Sequence, residues 1–129
     1  LKGKTIAILG VTFKPNTDDM RDSPSLDILP ALQKAGASIR VYDPEGMDEA
    51  HKMLKGIKWC ENSYEAMKGA DALVIITEWN AFRGLDFERV KSLLRKPVLV
   101  DLRNIYNPDD MATAGIDYHC LGRPPGIAN

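Results

Sequence analysis

Short apolar runs rich in β-branched residues recur along the chain, with helical patterns between them. Lys4-Thr5-Ile6-Ala7-Ile8-Leu9 stops at Gly10, and Ser38-Ile39-Arg40-Val41-Tyr42 stops at Asp43-Pro44. Ile57-Lys58-Trp59 is a short third candidate. Ala72-Leu73-Val74-Ile75-Ile76 and Pro97-Val98-Leu99-Val100 are apolar throughout, the pattern of strands covered on both faces. Ile116 to Cys120 is a weaker run, placed at an edge. Strands alternating with helices predict βαβ units with right-handed crossovers. The fold class read from this pattern is α/β: an open, doubly wound, Rossmann-like sheet of five to six mostly parallel strands in three layers. Ligands are then expected at the carboxyl ends of the strands.

The first helix has the best start signal. Ser23 can cap it, Pro24 suits its first position, and Gly36 suits its end. Leu26, Leu29 and Leu32 fit one buried face, leaving Asp27, Gln33 and Lys34 to water. Pro30 conflicts with this helix, because an interior proline removes a backbone bond, and it predicts a kink there or an irregular first turn. Shorter helices are predicted near Asp48 to Lys55, Ser63 to Lys68 and Asp86 to Leu94; the tail from Gly122 to Asn129 reads as frayed.

Composition narrows the function classes. A chain of 129 residues, 44% hydrophobic and 27% charged, has the balance of one globular domain rather than a disordered or fibrous segment. Seventeen basic against eighteen acidic residues give a net charge of -1, so neither nucleic acid nor an anionic membrane is expected as the main partner. The longest apolar run, Ala72 to Ile76, is far too short to span a bilayer. Cys60 and Cys120 are too few for a disulfide framework and suit ordinary thiols in a reducing cytoplasm. His51 and His119 show no metal-ligand spacing, so no metal is expected. Leu1 in place of Met suggests an excised piece.

Three strand ends offer chemistry. After the first strand a dinucleotide fold would carry G-x-G-x-x-G, yet the chain reads Gly10-Val11-Thr12-Phe13-Lys14-Pro15. Asp43 stands where a ribose-binding acid would stand but lacks the glycines, and it is read as a turn-former before Pro44. The connection from Val11 to Ser23 is long for a βα loop. It offers an aromatic ring (Phe13), two cations (Lys14, Arg21) and a helix N-terminus, the parts that an aromatic base and a phosphate need. The same residues also read as a solvated, salt-bridged loop capping the next helix. Arg103, just past the fifth strand, can face the same crevice as Lys14 or pair with Asp101 or another surface acid. Trp79 and Phe82, after the fourth strand, read as a lid or domain contact. His119 and Cys120 are adjacent in a strand and so point to opposite faces, which forbids a dyad.

Four segments carry a family resemblance. They are Gly10-Val11-Thr12-Phe13-Lys14-Pro15-Asn16-Thr17-Asp18-Asp19-Met20-Arg21-Asp22-Ser23-Pro24, Val41-Tyr42-Asp43-Pro44, Thr77-Glu78-Trp79 and Asp101-Leu102-Arg103-Asn104. Together they resemble the C-terminal, UDP-binding domain of the UDP-glucose/GDP-mannose dehydrogenase family, nearest its UDP-glucose 6-dehydrogenase branch. The resemblance implies that residues 1–123 form a UDP-sugar-binding domain and 124–129 a flexible tail. It implies a cytoplasmic, NAD-dependent enzyme that oxidises the C6 alcohol of UDP-glucose twice, to UDP-glucuronate. Phe13, Lys14 and Arg103 match residues that contact the sugar nucleotide, and Arg21 matches one that touches NAD. An N-terminal NAD domain and a central helical domain are the implied partners, and a homodimer the implied assembly. The Gly-Gly-x-Cys nucleophile of such enzymes is not present in this sequence, so no residue here is expected to be catalytic and the chain alone is expected to be inert. The alternative reading is a non-catalytic nucleotide-binding or regulatory module on the same fold.

Overall fold

A computed structural model describes residues 2–12, 20 and 23–120. The elements are β1 (Thr5–Leu9), α1 (Ser25–Lys34), β2 (Ser38–Tyr42), α2 (Met47–Met53), β3 (Ile57–Trp59), α3 (Ser63–Met67), β4 (Ala72–Ile75), α4 (Asn80–Arg83), α5 (Phe87–Leu93), β5 (Val98–Asp101), α6 (Pro108–Thr113) and β6 (Asp117–Cys120). The six strands form one sheet in the order β3-β2-β1-β4-β5-β6. Every neighbouring pair is parallel. The chain winds outward from β1 to β3, then returns to β4 on the other side of β1. This reversal makes β1 and β4 the switch point, where such sheets bind ligands.

Side chains alternate between two cores, as a strand buried on both faces requires. Ile6 and Ile8 of β1 pack with Leu29 of α1 and Ala50 of α2. Ala7 and Leu9 pack on the other face with Met67, Phe82, Val90 and Met111, one from each of α3 to α6. The three-layer Rossmann-like expectation holds, and the sheet proves parallel throughout.

The first helix shows where its proline is tolerated. Ser23 Oγ accepts from the Ser25 N–H at 3.2 Å, as a capping hydroxyl does, and Pro24 has a helical φ of -57°. Leu26 N–H donates to Ser23 and Asp27 N–H to Pro24, both three residues back and both at 3.1 Å, before four-residue bonding begins at Ile28. The first turn is thus the irregular one. The helix continues through Pro30, which lies on its exposed side, where water can reach the Leu26 carbonyl that loses its donor. α4 and α6 were not foreseen from the sequence.

Register sets the level of the site. Tyr42, Leu9, Ile75, Asp101 and Cys120 stand side by side across β2, β1, β4, β5 and β6. The ladder runs one residue further, with Gly10 N–H donating to Tyr42 at 2.9 Å and Ile76 N–H to Leu9 at 3.0 Å. Residues just past that row therefore meet on one rim.

Candidate functional site at the carboxyl ends of the strands

Three consecutive residues after β4 each reach a different strand end. Thr77 Oγ1 donates to the Thr12 carbonyl, beyond β1, at 2.6 Å. Glu78 Oε2 lies 3.1 Å from Nε of Arg103, beyond β5. Trp79 Nε1 donates to Oδ2 of Asp43, beyond β2, at 3.3 Å. The approach of β1 to β4 here depends on Gly10: its φ is +85°, and a Cβ would stand 2.6 Å from the Thr77 Cβ.

Asp43 is fully buried, and both of its oxygens are engaged. Oδ1 accepts from Glu45 N–H at 2.9 Å and Gly46 N–H at 2.7 Å, the turn expected before Pro44. Oδ2 accepts from Val11 N–H at 2.8 Å and Thr12 N–H at 3.3 Å, with the Thr12 hydroxyl at 3.4 Å. Glycine at 46 completes the arrangement, because a Cβ there would meet the Thr12 methyl at 2.3 Å. Thr12 is therefore gripped from two sides, by Asp43 on its N–H and by Thr77 on its carbonyl.

Asp101 is equally buried and organises the loop after β5. Its Oδ1 accepts from Arg103 N–H at 2.9 Å; its Oδ2 accepts from Ile105 N–H at 2.7 Å and the Tyr118 hydroxyl at 2.6 Å. Asn104 turns the loop with a φ of +56°, a region that asparagine tolerates better than most residues. Arg103 is thereby carried back over the end of β4, where its Nε donates to the Ile76 carbonyl at 2.7 Å. The surface acid it pairs with is Glu78; Asp101 takes its backbone N–H instead.

Of the two readings of the α1 N-terminus, the described residues favour the cap over the anion site. Ser23 Oγ and Ser25 Oγ donate to the Val11 carbonyl at 2.5 and 2.7 Å, closing the gap between β1 and α1. Pro24 has no N–H, and those of residues 25–28 are bonded to Ser23 or Pro24. A dinucleotide does not fit here: its pyrophosphate would meet bonded N–H groups, and its ribose acid, Asp43, faces inward.

Phe13, Lys14 and Arg21 lie outside the described residues. The structure fixes their flanks: Thr12 on the rim, Met20 in the core beneath α1, and Ser23 under the helix start. Trp79 and Phe82 are buried in this domain's own core, so the expected lid or domain contact is corrected. Their environment leaves only the indole N–H for a task, the bond to Asp43. Thr77, Glu78 and Asp101 lie in segments the sequence singled out but were not given these roles; placement just past the predicted strands marked them, without any pattern naming their partners.

No thiol is poised for chemistry among the described residues. Burial pushes the Cys60 thiol up from its ordinary pKa, with Glu65 adding to the effect. Cys120 is half-buried, and the neighbouring His119 pairs with Asp117 at 3.1 Å. Tyr106 donates to the Phe82 carbonyl, and burial together with the Asp101 carboxylate raises its pKa, keeping it a donor. No cluster that could hold a metal ion occurs among the described residues, and no helix among them is long and apolar enough to cross a membrane. The rim thus brings Arg103, Glu78 and the ends of β1, β2, β4 and β5 together.

Comparisons with known proteins identify the family. A family model described as "UDP-glucose/GDP-mannose dehydrogenase family, UDP binding domain" matches residues 7–108. The UDP-glucose 6-dehydrogenase of Rhizobium meliloti is 57% identical over 124 residues, which is 96% of this chain and 28% of that protein. UDP-glucose 6-dehydrogenase TuaD of Bacillus subtilis is 42% identical over 96% of this chain and 27% of its own length. The chain therefore spans a little over a quarter of these relatives. Among solved structures, the NDP-N-acetyl-D-galactosaminuronic acid dehydrogenase of Methanosarcina mazei superposes with a TM-score of 0.82 at 31% identity, covering 97% of this chain and 26% of that one.

Proposed function

We propose, since the chain belongs to the UDP-glucose/GDP-mannose dehydrogenase family, that it binds the UDP-sugar and closes over it within an NAD-dependent UDP-glucose 6-dehydrogenase. The observation that supports this most is the adjacency of Ile76 and Thr77. Ile76 holds Arg103 through its carbonyl, and Thr77 holds Thr12, the residue before Phe13 and Lys14. Two strand ends, one carrying Arg103 and the other ending at Thr12 just before Phe13 and Lys14 in sequence, are thus fixed on neighbouring residues. In this reading Lys14 and Arg103 bind the diphosphate, Phe13 packs against the nucleotide, and Arg21 reaches the NAD.

The reaction is the double oxidation of UDP-glucose to UDP-glucuronate, with NAD supplying the hydride acceptor. NAD is held mainly by an N-terminal domain, which also fits the closed α1 terminus here. The nucleophilic cysteine belongs to another part of the enzyme: Cys60 is buried with a raised pKa, and Cys120 lies on β6, two strands away from β4 and the switch point. Residues 1–123 act as the binding domain, with 124–129 a tail. The full-length enzyme is a cytoplasmic homodimer whose central helical domain joins the two halves.

The test is steady-state kinetics of the enzyme carrying this chain. Lys14→Ala and Arg103→Ala are expected to raise the KM for UDP-glucose by at least about tenfold each, the loss of a hydrogen bond to a charged group. Unchanged kinetics in both variants would replace this reading with a docking or regulatory role. The chain alone is expected to bind UDP only at millimolar concentration or above, because most of the enclosing site lies elsewhere.

A further inference from the structure

We infer that Thr77-Glu78-Trp79 is the positioning element of the site: one tripeptide that aligns the Phe13–Lys14 side with the Arg103 side. The inference rests on the UDP-sugar reading above and extends it to residues that touch no ligand.

The argument is geometric. The Thr77 hydroxyl bonds the Thr12 carbonyl at 2.6 Å in a fully buried setting. That carbonyl closes the last described residue of the β1 end, the one that precedes Phe13 in sequence. The Trp79 indole holds the Asp43 carboxylate, which holds the Thr12 N–H from the opposite side. Glu78 acts on the other half of the site, where its carboxylate and the Ile76 carbonyl both take Nε of Arg103. A guanidinium is planar, so fixing its Nε edge fixes the plane in which its remaining donors lie. Because the three residues are consecutive, any shift of the β4 end moves Thr12 and Arg103 together.

The test uses the enzyme carrying this chain and measures KM for UDP-glucose, KM for NAD, kcat and the thermal midpoint. Thr77→Val keeps the shape and removes the hydroxyl. It is expected to raise the UDP-glucose KM about twofold to tenfold, the range for one lost neutral hydrogen bond, with kcat at saturation within about twofold. Thr77→Ser, which restores the hydroxyl, is expected to return the KM toward the parent value. Glu78→Gln keeps an acceptor without the charge, and about a threefold rise is expected. An unchanged UDP-glucose KM in folded Thr77→Val overturns the inference, as does equal damage from Thr77→Ser. Should Thr77→Val fail to fold, Trp79→Phe reads the same grip through Asp43: a raised KM supports the inference and an unchanged one overturns it. The Lys14→Ala and Arg103→Ala enzymes run alongside. If they bind UDP-glucose normally, the binding reading itself fails; if they do not while the tripeptide variants do, only the positioning role fails.

Discussion

Asp43 and Asp101 look interchangeable at first: both are fully buried carboxylates at strand carboxyl ends, each accepting several hydrogen bonds. They differ in whom they hold. Asp101 folds its own loop, taking the N–H groups of Arg103, Ile105 and Tyr106, with the Tyr118 hydroxyl as the tie to β6. Asp43 turns its own chain at Glu45 and Gly46 but also reaches 31 to 36 residues away, to Val11, Thr12 and Trp79. One carboxylate is a local template and the other a staple between β1, β2 and β4. The cation placed by the local template, Arg103, has its backbone set by its own loop, while its side chain is taken by Ile76 and Glu78. The segment that leaves Thr12 depends on contacts from two other strands.

If that distinction is right, the staple should cost most to remove. Asp43→Ala strands the Val11, Thr12 and Gly46 N–H groups, all in buried bonds, along with the Trp79 indole. Buried unsatisfied donors cost about 1–3 kcal/mol each but do not add fully, so a loss on the order of 3–5 kcal/mol is expected. Urea unfolding followed by Trp fluorescence measures it. A loss below about 1 kcal/mol would mean that water replaces the carboxylate and that no staple exists.

Asp101→Ala is the counterpart and should cost less, roughly 2–3 kcal/mol. The bonds from Arg103 and Ile105 are only part-buried, and those two N–H groups can turn to water. The functional effect should run the other way: Arg103 loses its loop, while Thr12 keeps both of its grips. Nuclear magnetic resonance of the chain checks this, with shift changes expected around residues 102–106 and 118 and little change at Val11 and Gly46. Comparable changes at both strand ends would erase the distinction between template and staple.

The same distinction explains what could be read in the sequence. Strands β2 and β3 match their predicted bounds residue for residue, and β1, β4, β5 and β6 shift by no more than a residue at an end, because a parallel strand announces itself by a continuous apolar run. Helix α6 was missed although its start signal is present: Asn107 caps the N–H groups of Asp109 and Asp110, and Pro108 takes the first position. It has a single buried residue, Met111, and so no apolar stripe to announce it. Arg103 could be proposed as a site residue because position alone, just past a strand, suggested it. Thr77 and Trp79 could not, since their bonds to Thr12 and Asp43 span 65 and 36 residues and leave no local pattern. At the helix N-terminus the local pattern of Ser23 and Pro24 was visible and the cap is there, but the Val11 carbonyl that takes the Ser23 and Ser25 hydroxyls was not legible.

A third carboxylate sharpens the contrast at the smallest scale. Asp71 lies at the other end of the sheet, just before β4, and accepts one backbone bond, from Thr5 N–H at 2.8 Å. That bond holds its pKa below the ordinary 3.8, with the nearby Lys4, Arg95 and Lys96 assisting against some desolvation. A carboxyl whose pKa falls on folding stabilises the protein above its ordinary pKa, and the contribution fades as pH drops through the lower, folded value. Stability should therefore be unaffected by Asp71 ionisation near neutrality and should decline below about pH 4. Asp71→Asn should flatten that acid limb while costing little at pH 7, since an amide oxygen can still accept from Thr5. Unfolding midpoints of the two proteins from pH 2 to 7 decide it, and parallel curves would show that the single bond carries no linkage. A carboxylate with one half-buried partner is then a minor electrostatic contributor, whereas Asp43, with donors from three strand ends, is part of the architecture of the site.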